Sequence, residues 1–191
     1  ALVRGALAAL MGLEPDLEVV AEVGRGDQVV DACREHRPDV ILMDVQMPGL
    51  DGIAATAAVR AASPGTRVLI VTTFGRPGYL RRALEAGAAG FVVKDTPARQ
   101  LADAVRRVHA GLRVIDPDLA ADSMALGASP LTPRETEVLR AASNGSTVAQ
   151  MSAALHLSEG TVRNHLSSAM GKIGADTRAQ AVAIAIDNGW L

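Results

Sequence analysis

Between residues 17 and 110, short apolar runs alternate with stretches of helical periodicity, and that alternation restricts the fold more than any other feature. The runs are Leu17–Val23 (LEVVAEV), Val40–Met43 (VILM), Val68–Thr72 (VLIVT) and Gly90–Val93 (GFVV). Three of the four are continuously apolar, as strands are when helices cover both faces of their sheet. Helices are predicted over Asp27–His36, Gly52–Ala62, Pro77–Ala86 and Pro97–Ala110. The Pro-Gly and Gly punctuation at Pro48-Gly49, Pro64-Gly65 and Gly87–Gly90 falls in the loops between them. Ala1–Leu13 has the pattern of an amphipathic helix. Residues 1–110 are therefore expected to form an α/β domain with a parallel sheet.

From Gly111 to Pro130 the pattern loosens into a linker with two prolines, Pro117 and Pro130, and one short helical candidate, Asp118–Leu126. Leu131–Leu191 carries four helical segments and no convincing strand, the mark of a separate all-helical domain. With 49% apolar and 21% charged residues, the chain is of the globular kind rather than the disordered kind. One Trp, one Tyr and two Phe leave an aliphatic core and argue against stacking platforms for single-stranded nucleic acid. The single Cys33 can form neither an internal disulfide nor a multi-thiolate metal site. No apolar run has the length of a membrane span, and the first residues lack the order of a signal peptide, so a cytoplasmic protein is expected. Net charge is −2, and residues 131–191 hold five Lys and Arg against five Asp and Glu. A neutral second domain does not by itself point to nucleic acid, so the case must come from pattern.

In open parallel sheets, ligands bind beyond the carboxyl ends of the strands. Asp44 follows VILM there, Thr72 and Thr73 follow VLIV, and Lys94 follows GFVV. Alone, such an Asp is as readily a helix cap or loop residue, and such a Lys a solvated charge. Together they offer a carboxylate, a hydroxyl and an ammonium at one sheet edge, the groups needed to accept a phosphoryl group and hold its oxygens. The segments PDVILMDVQMPGLDG, VLIVTTF and AGAAGFVVKD resemble the receiver domain of bacterial two-component response regulators over nearly all of residues 1–110. The resemblance implies Asp44 as phosphoacceptor, Lys94 as its salt-bridging lysine, Thr72 as the hydroxyl that shifts toward the phosphoryl group and Phe91 as the aromatic switch. It also implies Mg²⁺, held in part by Asp44 and the backbone carbonyl of Gln46. Receivers of this type begin with a strand ending in an acidic pair that supplies most of the Mg²⁺ ligation. That strand would sit between the Leu17 and Val40 runs and is not among these residues. Asp95 follows the lysine where the family often has proline, a variant that resembles the NarL/FixJ branch. The TTFGRPGYLRRALEAG stretch, with the GTVRN and NGW segments, is similar to regulators paired with membrane-fluidity sensor kinases.

In the second domain, Thr132 before Pro133 and Glu135 marks a helix start, and Asn144-Gly145 stops that helix. A second helix, Thr147–Leu155, turns at His156-Leu157, and Ser158 caps a third that runs to Ile173. Successive 100° steps put Val162, Leu166, Ala169, Met170 and Ile173 on one face and Gly160, Arg163, Asn164, Ser167 and Gly171 on the other. On periodicity alone this is either a solvated face of a small bundle or the reading face of a helix-turn-helix. LTPRE, VLR, LSEGTVRNHL and the KIG that follows resemble the LuxR-type helix-turn-helix over residues 131–191. That implies double-stranded DNA as a partner, with Arg163, Asn164 and Ser167 at base edges and Thr161, Lys172, Ser146 and Thr147 at phosphates. His165 falls on the flank and reads as structural. The last helix, Thr177–Gly189, with Ala181, Val182, Ala185 and Ile186, serves either a dimer interface or its own core.

The expectation is a DNA-binding transcriptional response regulator rather than an enzyme, phosphorylated on Asp44 by a sensor histidine kinase and homodimeric in that state. One alternative keeps the DNA-binding domain but makes the first domain a phosphate-independent sensor of a ligand or partner. Another, a phosphotransfer enzyme of the haloacid-dehalogenase kind, would have a second catalytic Asp where Gln46 stands.

Overall fold

The computed structural model describes residues 2–73, 77–125, 127 and 129–191. The chain forms two compact units, with Tyr79–Ala121 in the first and Asp122–Leu191 in the second. Phe74, Gly75 and Arg76 of the TTFGRPG stretch, Ala1 of the predicted first helix and Leu126 of the predicted linker helix lie outside the described residues.

In the first unit, α1 (Leu2–Gly12), α2 (Val29–His36), α3 (Gly52–Ala62), α4 (Pro77–Glu85) and α5 (Ala98–His109) surround a parallel sheet of β1 (Val40–Met43), β2 (Arg67–Thr72), β3 (Gly90–Val93) and β4 (Val114–Ile115) in spatial order 1-2-3-4. The continuous apolar run of β2 has a physical reason. Val68 and Ile70 enter a core with residues of α2, α3 and α4, while Leu69 and Val71 enter a second core with Met11 of α1 and Leu101, Ala102 and Val108 of α5. Alternate side chains thus serve opposite faces, and both faces are covered.

Two expectations are corrected here. Leu17–Val23 is not a strand: among the described residues its backbone has no ladder partner, and Val19 and Val20 are about two-fifths exposed at 41% and 42%. A strand is stable through its neighbours, and apolar patterning cannot supply one. Conversely, Val114–Ile115, read as linker, pairs with Gly90 and Phe91 as the edge strand β4. Beyond it, α6 (Pro117–Ala125) starts where Asp116 Oδ1 accepts the amides of Asp118 and Leu119, and Leu119 is buried in the first core.

Asp51 caps α3 by accepting the amides of Ile53 at 2.9 Å and Ala54 at 2.8 Å. This start lies against the end of β1, because Gly52 N donates to Val45 O at 2.9 Å. A Cβ on Gly52 would sit 1.8 Å from the carbonyl oxygen of Asp44. Only glycine permits that approach.

The second unit contains α7 (Pro133–Ser143), α8 (Val148–Leu155), α9 (Glu159–Ile173) and α10 (Arg178–Asp187). A hydroxyl caps each one: Thr132, Thr147, Ser158 and Thr177 accept amides three residues on. Their core is built from Val138, Leu139, Met151, Val162, Leu166 and Ala169 among others. Ala181 and Ala185 of α10 are fully buried in it, so that helix packs within its own unit.

Glu135 ties α7 to α9. Its carboxylate, 3% exposed, accepts from Lys172 Nζ at 2.8 Å, Ser168 Oγ at 2.7 Å and the Thr132 amide at 2.7 Å. Burial opposes its ionisation, but the hydrogen bonds from Lys172, Thr132 and Ser168 prevail and hold its carboxyl at about 2, below the ordinary 4.5. A depressed carboxyl pKa contributes stability that is present above the unfolded value and lost as pH falls toward the folded one.

Two outcomes follow from this packing. Gly52→Ala should lower the free energy of unfolding of the first unit by about 3 kcal/mol, since backbone must move to admit the methyl, and urea denaturation reads it directly. Glu135→Gln should cost the second unit about 2–3 kcal/mol at neutral pH by leaving the Lys172 ammonium half-paired. The gap to the wild type should narrow as pH drops from about 4.5 toward about 2. An undiminished gap at about pH 3 would contradict the ionised-Glu135 assignment.

Candidate phosphoryl site and nucleic-acid interface

Strands β1, β2 and β3 end nearly in register, with Met43 beside Ile70 and Thr72 beside Val93. The first polar side chains past them therefore emerge at one edge. The Lys94 amide donates to Thr72 O at 2.7 Å, carrying the ladder one residue beyond β3. From there Lys94 Nζ reaches across to donate to Asp44 Oδ2 at 2.5 Å. The pair is only partly exposed, 19% for the lysine side chain and 30% for the aspartate, so it is screened less than a surface ion pair.

The other Asp44 oxygen, Oδ1, accepts the Gln46 amide at 3.3 Å. Thr72 is buried at the end of β2, Thr73 is exposed, and Phe91 is fully buried in the core shared with α2 and α3. The structure thus brings Asp44, Lys94 and the end of β2 together, and keeps Phe91 inside the sheet layer. Gly49, with φ of +80°, lets the following loop pass the carboxylate of Asp27, which a Cβ would approach to 2.6 Å. Asp27 is in turn held by Arg25 at 2.7 Å, and that guanidinium lowers its carboxyl pKa.

No group of three or more His, Cys, Asp or Glu suited to a metal occurs among the described residues. Asp44 Oδ1 is nevertheless free of the lysine, and with the exposed Gln46 backbone it offers oxygen donors of the kind Mg²⁺ takes, one carboxylate and one carbonyl, with water and phosphate for the rest.

In the second unit, α8 ends at His156, whose φ of +54° turns the chain. Leu157 N donates to Ser152 O at 3.1 Å, and Ser152 Oγ donates to the Leu157 carbonyl. Ser158 then starts α9. As expected, Val162, Leu166 and Ala169 are buried, Met170 and Ile173 are partly so, and Gly160, Arg163, Asn164, Ser167 and Gly171 are exposed. His165 is half-buried on the flank.

Four predicted DNA contacts carry partners that the pattern did not foresee. Arg163 Nη2 donates to Glu159 at 2.6 Å. Lys172 is held by Glu135. It stands nine residues after Arg163, which at about 100° per residue is half a turn around the helix. Thr161 Oγ1 lies 2.8 Å from Ser158 Oγ. Ser146 O accepts from Arg178 at 2.8 Å, and Thr147 is exposed as the cap of α8. Glu135 was read from sequence only as part of a helix start, and Glu159 was not singled out. For Glu135 the signal was present, as the third residue of a capping box. For Glu159 it was the i,i+4 spacing to Arg163.

Comparison with known proteins agrees with both units. Residues 1–106 match the response regulator receiver domain, and residues 129–185 match the bacterial regulatory proteins of the luxR family. The chain is 38% identical over 190 residues to the transcriptional regulatory protein DesR of Bacillus subtilis (strain 168), covering all of this chain and 94% of that protein. It is 39% identical over 190 residues to the transcriptional regulatory protein YvfU of the same organism, with the same coverage of 100% and 94%. The crystal structure of the response regulator ChrA of a heme-sensing two-component system superposes with a TM-score of 0.58 at 36% identity, covering 96% of this chain and 90% of that one. Among the described residues no helix is long and apolar enough to cross a membrane. With a receiver fold ahead of a luxR-type helical unit, and relatives that span both, the chain belongs to the NarL/LuxR family of two-component response regulators, which are DNA-binding transcription regulators.

Proposed function

We propose that this regulator is switched on by transfer of a phosphoryl group from a sensor histidine kinase to Asp44, and that the phosphorylated form binds double-stranded DNA as a homodimer in the cytoplasm. The observation that carries the reading is the partly buried Lys94–Asp44 pair at the carboxyl ends of the strands. An Asp44 oxygen attacks the phosphorus, and the bond to the donor histidine nitrogen breaks. The Lys94 ammonium, already poised at 2.5 Å, then neutralises a phosphoryl oxygen. The Thr72 hydroxyl, at the end of the strand between them, turns toward the new group, and Phe91 follows as the switch inside the core. Asp44 and the Gln46 carbonyl would hold Mg²⁺, whose charge offsets that of the phosphoryl oxygens.

On the DNA side, α9 enters the major groove with Arg163, Asn164 and Ser167 at base edges. Thr161, Ser146 and Thr147 meet phosphates, whereas Lys172, expected there from sequence, stands half a turn from Arg163 and is bonded to Glu135 instead. A monomer with a neutral reading unit binds weakly, and pairing two units raises the effective concentration of the second at its half-site.

The test is intact-mass spectrometry after incubation with acetyl phosphate and Mg²⁺, followed by sedimentation. One phosphoryl group should be gained together with a shift to dimer, and both should be absent in Asp44→Asn. Lys94→Gln should slow the gain about tenfold or more by removing the cation from the phosphoryl oxygens. Phosphodonor-dependent dimerisation that survives in Asp44→Asn would sink the proposal.

A further inference from the structure

Most of the cations in residues 131–191 are held by carboxylates of the same unit. Of the five Lys and Arg in residues 131–191, Arg134 is paired with Glu137 at 2.6 Å, Lys172 with Glu135 at 2.8 Å and Arg163 with Glu159 at 2.6 Å. The third pair lies on the recognition helix itself. Glu159 is the first residue of α9, where the helix dipole favours a carboxylate, and its side chain is 47% exposed beside an Arg163 that is 61% exposed. It stands on the same exposed flank as Arg163, so it cannot be there to satisfy the core.

We propose that Glu159 is the positioning residue for sequence recognition: by binding one end of the Arg163 guanidinium it fixes the other end for a single base edge. This deepens the assignment of Arg163 as a base reader and rests on it. A guanidinium has five N–H donors in a planar fork. Engaging Nη2 with Glu159 orients that plane and leaves donors enough for the two acceptors of a guanine. Free, the arginine would sample many rotamers and meet phosphates as readily as bases. Glu159 opposes that in two ways, by restraining the side chain and by placing a negative charge where the backbone of a mis-registered duplex would pass. The pair is solvated and can therefore yield to geometry, yet it biases the arginine before DNA arrives.

The experiment is selection of binding sites from a randomised duplex library by the full chain treated with acetyl phosphate, in wild type, Glu159→Gln, Glu159→Asp and Arg163→Ala. Arg163→Ala should erase the preference at one base pair of each half-site. Glu159→Gln should weaken the preference at that same base pair by about threefold or more and leave the others intact, since only one bidentate contact is disturbed. Affinity for random-sequence duplex should rise in the same variant. Glu159→Asp, which keeps an acid able to pair with an arginine four residues on, should restore most of the preference. A purely helix-stabilising role would instead lower affinity evenly across positions. Full retention of the base preference in Glu159→Gln, with its loss in Arg163→Ala, would overturn the inference while leaving Arg163 as a reader. Retention in Arg163→Ala would overturn both.

Discussion

Asp44 and Lys94 come from strands that are not neighbours, and their meeting at 2.5 Å depends on β2 lying between them and ending in step with both. A carboxylate taken partly out of water needs a cation or hydrogen-bond donors, and here it has Lys94 on one oxygen and the Gln46 amide on the other. Much of the first unit serves that arrangement. The alternating burial of β2 fixes its register between two cores, so that its end cannot slip by one residue without turning Val68 and Ile70 to the wrong face. The close approach of Gly52 to the Asp44 carbonyl, with Asp51 capping the helix that begins there, fixes the loop that carries the acid.

The second unit solves a different problem. Its core is small and rich in alanine, so apolar burial alone leaves little to fix the angle of α9 against α7. Glu135 supplies direction. A buried carboxylate with three donors tolerates only one placement of Ser168 and Lys172, both on α9, and so orients that helix against α7. That is the use to which such a costly group is suited, since an apolar contact of equal area would allow sliding.

The placement of the polar groups at the sheet edge of the first unit was readable in the sequence because it is local: a polar residue directly after an apolar run lies at a strand end whatever the rest of the chain does. Asp44, Thr72 and Lys94 all satisfy that condition. What depends on neighbours was not readable. Leu17–Val23 has a strand's composition but no adjacent ladder, and Val114–Ile115 is too short to display a period yet finds an open edge beside β3. In the second unit the helix caps and the buried face of α9 followed from hydroxyl positions and 100° steps. The partners of its charges did not, because the distance between Glu135 and Lys172 in the chain says nothing of their distance in space. The same steps, applied to Lys172, do put it half a turn from Arg163, and that angle is what makes it available to α7.

The internal pairing of charges bears on regulation. A DNA-binding surface usually gains affinity for any duplex by releasing counterions, and that gain grows with each unpaired cation. In this unit three of five cations face carboxylates of the same unit, which on the proposed function leaves few of them to neutralise phosphates. On the proposed function, a protein built this way has little tendency to accumulate on bulk DNA as a monomer. Its occupancy of a specific site must come from base contacts and from joining two readers, and only the second of these is adjustable after synthesis. Phosphorylation can shift an equilibrium only by as much as it favours one state over the other. A reader with a low electrostatic background lets a modest shift toward dimer translate into a large ratio of bound to free sites, which a strongly basic reader would obscure.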